Sequence, residues 1–190
     1  MKKALLVVDY IKGIAETGSC ADYLKENPKV IANTNVLIRF ARDQGMLVIH
    51  VRLAFTPDYQ GLPRYAPTAQ FIRNNRKFLL NTPETEFIAG IDVKVGDLIV
   101  DKKYGNPFYG NDIDDLLETH GVEGVIFTGV ATDNAILQGS NAAIERGYHV
   151  TVVTDACGAP TTKAHEDALA IMKGRTVTEF LTTQEVLLKK

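Results

Sequence analysis

The sequence predicts a three-layer α/β fold, in which a central and mostly parallel sheet is flanked by helices on both faces. Three observations predict it. Short apolar, β-branched runs alternate along the chain with longer segments of helical periodicity. The runs are almost continuously hydrophobic, as strands covered on both faces are. The repeated strand–helix order is typical of a parallel sheet. All 190 residues are predicted to form one domain, because 45% hydrophobic residues in a chain of this length can build a sizeable core.

Six runs are predicted to be strands, because β-branched and aliphatic residues favour extended, buried backbone. Five of the runs are strongly apolar, and a sixth, the Thr-Val-Thr run at 176–178, is weaker. The strong runs cover residues 4–8, 47–51, 97–100, 124–130 and 149–153.

Helices are predicted between the strands from apolar residues at helical spacing and from start and stop signals. Pro28 suits the first turn of one helix and Gly45 its left-handed stop. Asp133 and Thr162 are the predicted N-caps of two later helices. The irregular stretch 53–85 contains four prolines and is predicted to be an insertion that covers the functional site. The predicted helices cover residues 28–44, 68–79, 111–121, 133–147 and 162–174.

Composition argues against several classes of protein. The net charge is −2 and no block of basic residues occurs, so nucleic acid is not an expected partner. The N-terminal apolar run stops at Asp9, too early for a signal peptide or a membrane span, so we expect a cytoplasmic protein without membrane contact. The two cysteines, Cys20 and Cys157, lack the spacing of metal ligands, and neither a disulfide framework nor a structural zinc site is expected.

Three chemically suggestive features come at or just past predicted strand ends. Asp9 follows the first strand, Lys102 follows the third, and the turn at 129–135 follows the fourth. In open α/β sheets, ligands bind beyond the carboxyl ends of the strands. A carboxylate at such a place is partly desolvated and needs a cation or hydrogen-bond donors. The sequence therefore predicts a site at this edge of the sheet.

Nearly the whole chain resembles the isochorismatase-like hydrolases, a superfamily that includes nicotinamidases, carbamoylsarcosine-type amidases and isochorismatases. The most specific match is GVEGVIFTGVATDNAILQGSNAAIERGYHVTVVTDACGA, which resembles the nucleophile turn and the strand after it. ALLVVDYIKG and VIHVR resemble the first two strands, and VDKKYGNPFYGNDIDDLL resembles the lysine segment. AHEDALAIM and TTQEVL resemble the final helices. The resemblance implies a Rossmann-like α/β/α fold and hydrolysis of a small molecule.

The resemblance also implies a catalytic set. Asp9 takes the place of the general base. Alignment on Phe108 and Gly110 places the family's lysine on Lys102, with Lys103 as the alternative.

The family's nucleophilic cysteine falls on Ala135, which has no reactive group. A cis peptide bond is implied between Val130 and Ala131, and the N–H groups of Ala131 and Ala135 are implied to form the oxyanion hole. Such donors stabilise the charge that develops on an attacked carbonyl oxygen.

Alanine at position 135 leaves three hypotheses. In the first, the chain is a thiol amidase that has been inactivated by an engineered replacement of its cysteine with alanine. Alternatively, it hydrolyses without a covalent intermediate, as isochorismatases do when they protonate a vinyl ether with the aspartate. In the third hypothesis it is a catalytically silent relative that binds a small molecule. The retained Asp9 and Lys102 argue against the third, because a buried ion pair stabilises a fold only weakly.

The remaining expectations concern ligands and assembly. Arg52 is a candidate for holding a substrate carboxylate, with a surface salt bridge as the alternative. Tyr59, Tyr65 and Phe108 are candidates for an apolar pocket wall, with core packing as the alternative. No metal or other cofactor is expected, because the stretch that carries metal-binding histidines in nicotinamidases has Asp58 and no histidine. The resemblance implies a homo-oligomer, a dimer or a tetramer.

Overall fold

The computed structural model describes residues 1–189, which form a six-stranded, wholly parallel sheet with the strand order β3-β2-β1-β4-β5-β6. The predicted α/β class and the parallel sheet are therefore confirmed. The strands are β1 (Lys3–Val8), β2 (Leu47–Leu53), β3 (Leu98–Lys102), β4 (Gly124–Val130), β5 (His149–Gly158) and β6 (Glu179–Leu181).

Eight α-helices connect the strands. In chain order they are α1 (Lys12–Ala15), α2 (Ala21–Glu26), α3 (Lys29–Asp43), α4 (Pro67–Asn74), α5 (Ile113–Thr119), α6 (Leu137–Glu145), α7 (Thr162–Met172) and α8 (Thr183–Leu188). A 3₁₀ turn covers Pro83–Thr85, and a π-helical turn covers Thr132–Ile136 directly before α6.

The helices cover both faces of the sheet. On one face, residues of α5, α6 and α7 pack against alternate residues of β1, such as Leu6 and Val8. On the other face, residues of α2, α3 and α8 pack against Leu5 and Val7. This arrangement gives the predicted three layers, and it explains why the strands are apolar at nearly every position.

The strand order reverses between β1 and β4. Strands are added outward from β1 in one direction as β2 and β3, and from β4 in the other as β5 and β6. The two central strands pair in the register Val8↔Gly129. Asp9, which follows β1, and Val130, the last residue of β4, therefore lie close together at a topological switch point, where α/β sheets bind ligands.

Close approach of the two central strands requires a glycine at position 129. Gly129 has a φ of +125°, and a Cβ built there would lie 2.2 Å from the carbonyl oxygen of Val8. Any side chain would collide with the backbone of the neighbouring strand. The backbone of Gly129, where the turn starts, thus packs directly against Val8, the residue before Asp9.

The predicted insertion at 53–85 forms a small core of its own. Its buried residues contact Ile11, which lies two positions after Asp9 in the chain. The helix within it, α4, ends at Asn74 rather than at 79, because Arg76 and Phe78 adopt left-handed backbone conformations. The members of this core are Ile11, Leu53, Phe55, Tyr59, Leu62, Ala69 and Ile72.

The sixth predicted strand was placed three residues too early. Residues 174–176 form a turn in which the N–H groups of Arg175 and Thr176 both donate to the carbonyl of Met172. Pairing with β5 therefore begins at Glu179, opposite Thr151. The β-branched Thr-Val-Thr run has strand propensity, but the chain needs those residues to complete its reversal.

Two predicted helix caps were also wrong. Thr161, and not Thr162, caps α7 by accepting a hydrogen bond from the N–H of Ala164 (3.1 Å). Asp133 lies inside the π-helical turn with its side chain exposed, and Ala131 occupies the cap position without a side-chain bond. In residues 1–189, no helix has the length and hydropathy needed to cross a membrane.

Candidate active site

Asp9 is held in one orientation at the carboxyl end of β1. Its backbone has a φ of +57°, and its N–H donates to the carbonyl of Val51 (2.8 Å). Its Oδ1 accepts from the N–H of Leu53 (3.1 Å), and its Oδ2 lies 2.6 Å from the Nζ of Lys102. Only 3% of the residue is exposed. Asp9 is therefore a buried carboxylate with one cation and one backbone donor.

Lys102 is the lysine that faces Asp9. It is 1% exposed, and its ammonium group also donates to the carbonyl of Gly105 (2.9 Å). Lys103 lies on the other side of the strand, where its Nζ donates to the carbonyl of Ala54 (2.9 Å). Of the two lysines that the sequence left open, Lys102 is the one that pairs with Asp9.

Burial and the ion pair act on Asp9 in opposite directions. Desolvation raises the pKa of the Asp9 carboxyl above its ordinary value of 3.8, while the Lys102 ammonium and the Leu53 N–H lower it. Desolvation is the largest of these effects. A carboxyl group whose pKa is raised by burial binds a proton more readily than an exposed one, which suits it to exchanging a proton with a bound ligand.

The turn after β4 brings backbone donors to the same place. The Val130–Ala131 peptide bond is cis, where the resemblance implied it. The carbonyl of Ala131 accepts from the N–H groups of Asn134 and Ile136, both at 3.1 Å. In residues 1–189, the N–H of Ala131 donates to no backbone or side-chain acceptor.

Ala135 is 1% exposed and packs in the same apolar cluster as Val8, the residue before Asp9. The turn, Asp9 and Lys102 converge at one edge of the sheet although they come from three distant parts of the chain. The sequence predicted this convergence from the strand ends.

His165 on α7 forms a hydrogen bond to the turn after β4. This residue was not singled out from the sequence. Its Nδ1 lies 2.8 Å from the Oγ1 of Thr132, the second residue after the cis bond. Burial lowers the pKa of His165 below its ordinary value of 6.5, which favours the neutral imidazole. No periodic or motif signal marks this residue, because its partner lies 33 positions earlier.

We expect Thr132→Val to lower the free energy of unfolding by about 1–3 kcal/mol, because it removes the hydrogen bond between the buried Thr132 hydroxyl and the half-buried His165 ring. Urea denaturation followed by circular dichroism measures the loss. Thr162→Val, which changes an exposed threonine on α7, serves as the control and should leave stability nearly unchanged. Equal stability of the two variants would contradict the hydrogen bond.

The predicted substrate-binding residues do not form one wall. Phe108 is buried in the core under Arg146, whose guanidinium carbon lies 4.8 Å from its ring centroid. Tyr59 is buried in the small core of 53–85, and its hydroxyl donates to the carbonyl of Lys77 (3.0 Å). Tyr65 is 79% exposed. Packing accounts for the positions of Phe108 and Tyr59. A role in substrate binding stays a prediction for all three residues.

Arg52 is engaged in an ion pair. Its Nε donates to the Oδ1 of Asp101 (2.5 Å), and the two residues are register neighbours on β2 and β3. The guanidinium also lies 5.7 Å from the ring centroid of Phe87. This is the salt bridge weighed as the alternative to carboxylate binding, and a substrate would have to compete with Asp101.

Neither cysteine is placed as a nucleophile. Cys20 and Cys157 are both buried, and desolvation raises the pKa of each thiol to about 12. Both are therefore thiols, not thiolates, at neutral pH. Cys157 points its sulfur at the carbonyl of Phe127 on β4 (3.8 Å).

The described residues do not supply the donor set of a metal site. In residues 1–189, no group of three or more His, Cys, Asp and Glu side chains is close enough to bind an ion. Asp58, the acidic residue of the stretch compared with nicotinamidases, instead accepts a hydrogen bond from Thr56 (2.5 Å).

Comparison with known proteins gives consistent matches. A family model described as the isochorismatase domain matches residues 3–185. Maleamate amidohydrolase of Pseudomonas putida is 24% identical, covering 87% of this chain and 76% of that protein. A probable inactive nicotinamidase of Arabidopsis thaliana is 29% identical, covering 90% and 87%. The crystal structure of a cysteine hydrolase from Pseudomonas syringae pv. phaseolicola superimposes with a TM-score of 0.87 at 22% identity, covering 98% and 91%.

Proposed function

Because the chain belongs to the isochorismatase family of hydrolases, we propose that its site is built to hydrolyse the C–N bond of a small amide or carbamoyl compound. The observation that carries the proposal is the buried Asp9–Lys102 pair beside the turn at Val130–Ala131. The amidohydrolase among its relatives supports the same reaction class. Ala135 then marks the place of the nucleophile, and a parent enzyme with cysteine there would carry the full reaction.

With a thiol at position 135, each group has a distinct task. Asp9 takes the thiol proton, and the Lys102 ammonium favours the negative charge that this creates. The thiolate attacks the amide carbonyl, whose oxygen receives hydrogen bonds from the N–H groups of residues 131 and 135. Asp9 returns the proton to the leaving amine. It then removes a proton from the water that hydrolyses the acyl-enzyme, which releases the acid and restores the thiol.

A second candidate is acid-catalysed hydrolysis of a vinyl ether by the chain as it stands. The observation that favours it is the effect of burial on Asp9, which raises the carboxyl pKa and thus the protonated fraction at a given pH. Asp9 would protonate a carbon of the double bond, and water would add to the resulting oxocarbenium ion and return a proton to Asp9. The hemiketal or hemiacetal formed would then break its original C–O bond, which releases a carbonyl compound and an alcohol. Ala135 would leave room for the ligand.

The experiment that separates the candidates compares the chain with its Ala135→Cys variant on a panel of small amides, carbamoyl compounds and vinyl ethers. Gain of amide hydrolysis in the variant supports the first proposal. Vinyl-ether hydrolysis by the unaltered chain supports the second. Binding without turnover by either protein would favour a catalytically silent relative.

A further inference from the structure

A cavity lies at the opposite end of the sheet from Asp9. It has a volume of about 730 Å³ and opens where the strands begin, between the end of α3 and the end of α8. Its walls are largely apolar and include Phe40, Met46, Leu181 and Val186. We call it the basal cavity. Its volume is in the range of cavities that hold small molecules.

Three buried polar atoms on its lining have no hydrogen-bond partner in residues 1–189. They are the Nδ1 of His149, the Oγ1 of Thr151 and the Oε2 of Glu179. Among the described residues, only one other buried side-chain N or O atom is unpartnered, the Nδ1 of His50. Thr151 is only 1% exposed. Buried polar groups are normally paired, so three in one cavity point to a ligand.

The register of the sheet explains why these atoms converge. His149 and Thr151 are two residues apart on β5 and so point to the same face. Thr151 pairs with Glu179 on β6, which brings that carboxylate alongside. On the other side His149 pairs with Gly124, and the side chains of Met1 and Lys3 lie over that glycine and line the same cavity.

The charges restrict what can bind. The Oε1 of Glu179 accepts a hydrogen bond from the Nζ of Lys189 (2.6 Å), and this bond is the main reason that the pKa of the Glu179 carboxyl is lowered. The free Oε2 is therefore an ionised acceptor that needs an N–H or O–H donor. A cationic donor is disfavoured, because Lys3 and Lys189 also line the cavity. An ionised carboxylate ligand has no N–H or O–H group and therefore cannot donate a hydrogen bond to Glu179.

A neutral primary carboxamide meets all of these conditions. Its N–H donates to Glu179, and its carbonyl accepts from the hydroxyl of Thr151 or from His149. An apolar body attached to it would contact Phe40, Met46 and Val186. We propose that the basal cavity is a second ligand site, separate from the Asp9 site, for a small apolar molecule that carries a primary carboxamide.

The test uses benzamide as the probe and methyl-¹³C-methionine as the reporter in the full chain. The chain has three methionines. Met1 and Met46 line the basal cavity, whereas Met172 lies in the core on the other face of the sheet. We expect benzamide to shift the Met46 and Met1 methyl signals saturably while Met172 stays in place. Asp9→Asn should leave this titration unchanged, which separates it from binding at the Asp9 site.

Two variants and a second ligand make the test decisive. Thr151→Val and Glu179→Leu should each weaken benzamide binding about tenfold or more. Thr154→Val, on the same strand but outside the basal cavity, should not. An unmoved Met172 signal reports that each variant is folded. The proposal is overturned if Met46 does not respond, if benzoate binds as tightly as benzamide, or if neither variant weakens binding.

Discussion

Replacing Ala135 with cysteine is expected to raise amide hydrolysis by on the order of 10³-fold or more over the unaltered chain. Loss of a catalytic nucleophile costs other hydrolases at least this much. The surrounding groups are in place, because Asp9 and Lys102 are paired at 2.6 Å and the N–H of Ala131 has no acceptor in residues 1–189. Steady-state release of ammonia or amine from a panel of small amides measures the gain.

A matched control is Ala135→Ser, which adds a hydroxyl of similar size. A serine hydroxyl is far less acidic than a thiol, and Asp9 with Lys102 would not ionise it to a comparable extent. We expect little activity from this variant. If Ala135→Cys shows no gain on any amide while it remains folded, the C–N proposal fails and acid-catalysed hydrolysis becomes the leading candidate.

Asp9→Asn is expected to lower the activity of the Ala135→Cys protein by on the order of 10²–10⁴-fold, the usual contribution of a proton-transfer group. It should also lower the free energy of unfolding by about 3–5 kcal/mol, because it leaves the Lys102 charge buried with only the Gly105 carbonyl as partner. Kinetics and urea denaturation measure the two effects separately.

A double variant shows that the two effects have different causes. Asp9→Asn combined with Lys102→Met removes the buried charge and should recover most of the stability, yet no activity. Glu86→Gln disrupts an exposed ion pair with Lys12 that has the same 2.6 Å separation, and it should leave stability nearly unchanged. If the Asp9→Asn enzyme keeps full activity, Asp9 is not the proton-transfer group.

Most of the fold could be predicted from the sequence because parallel strands buried on both faces are apolar without alternation. The predicted run at 124–130 coincides with β4, and the other strong runs differ from their strands mainly in length. The short helices α1 and α2 gave no periodic signal, since four and six residues are too few to show one. The start of β6 was misplaced because residue propensity does not reveal how many residues a reversal needs.

The site was predictable where it depends on strand ends and not where it depends on packing. Asp9 and Lys102 each terminate a strand, so a sequence reader can place them at one edge. The choice between Lys102 and Lys103 required the structure, because adjacent strand residues point to opposite faces. The contact between His165 and Thr132 and the pairing of Arg52 with Asp101 depend on how helices and strands lie against each other.

The crowding around the turn after β4 limits how its specificity can be re-engineered. Of the eight positions 129–136, only Asp133 and Asn134 are exposed. Position 129 has no room for a Cβ, and Thr132 is bonded to His165. A library that randomised the whole loop would consist mostly of misfolded proteins, whereas diversity confined to these two surface positions would alter the rim of the site and preserve its backbone.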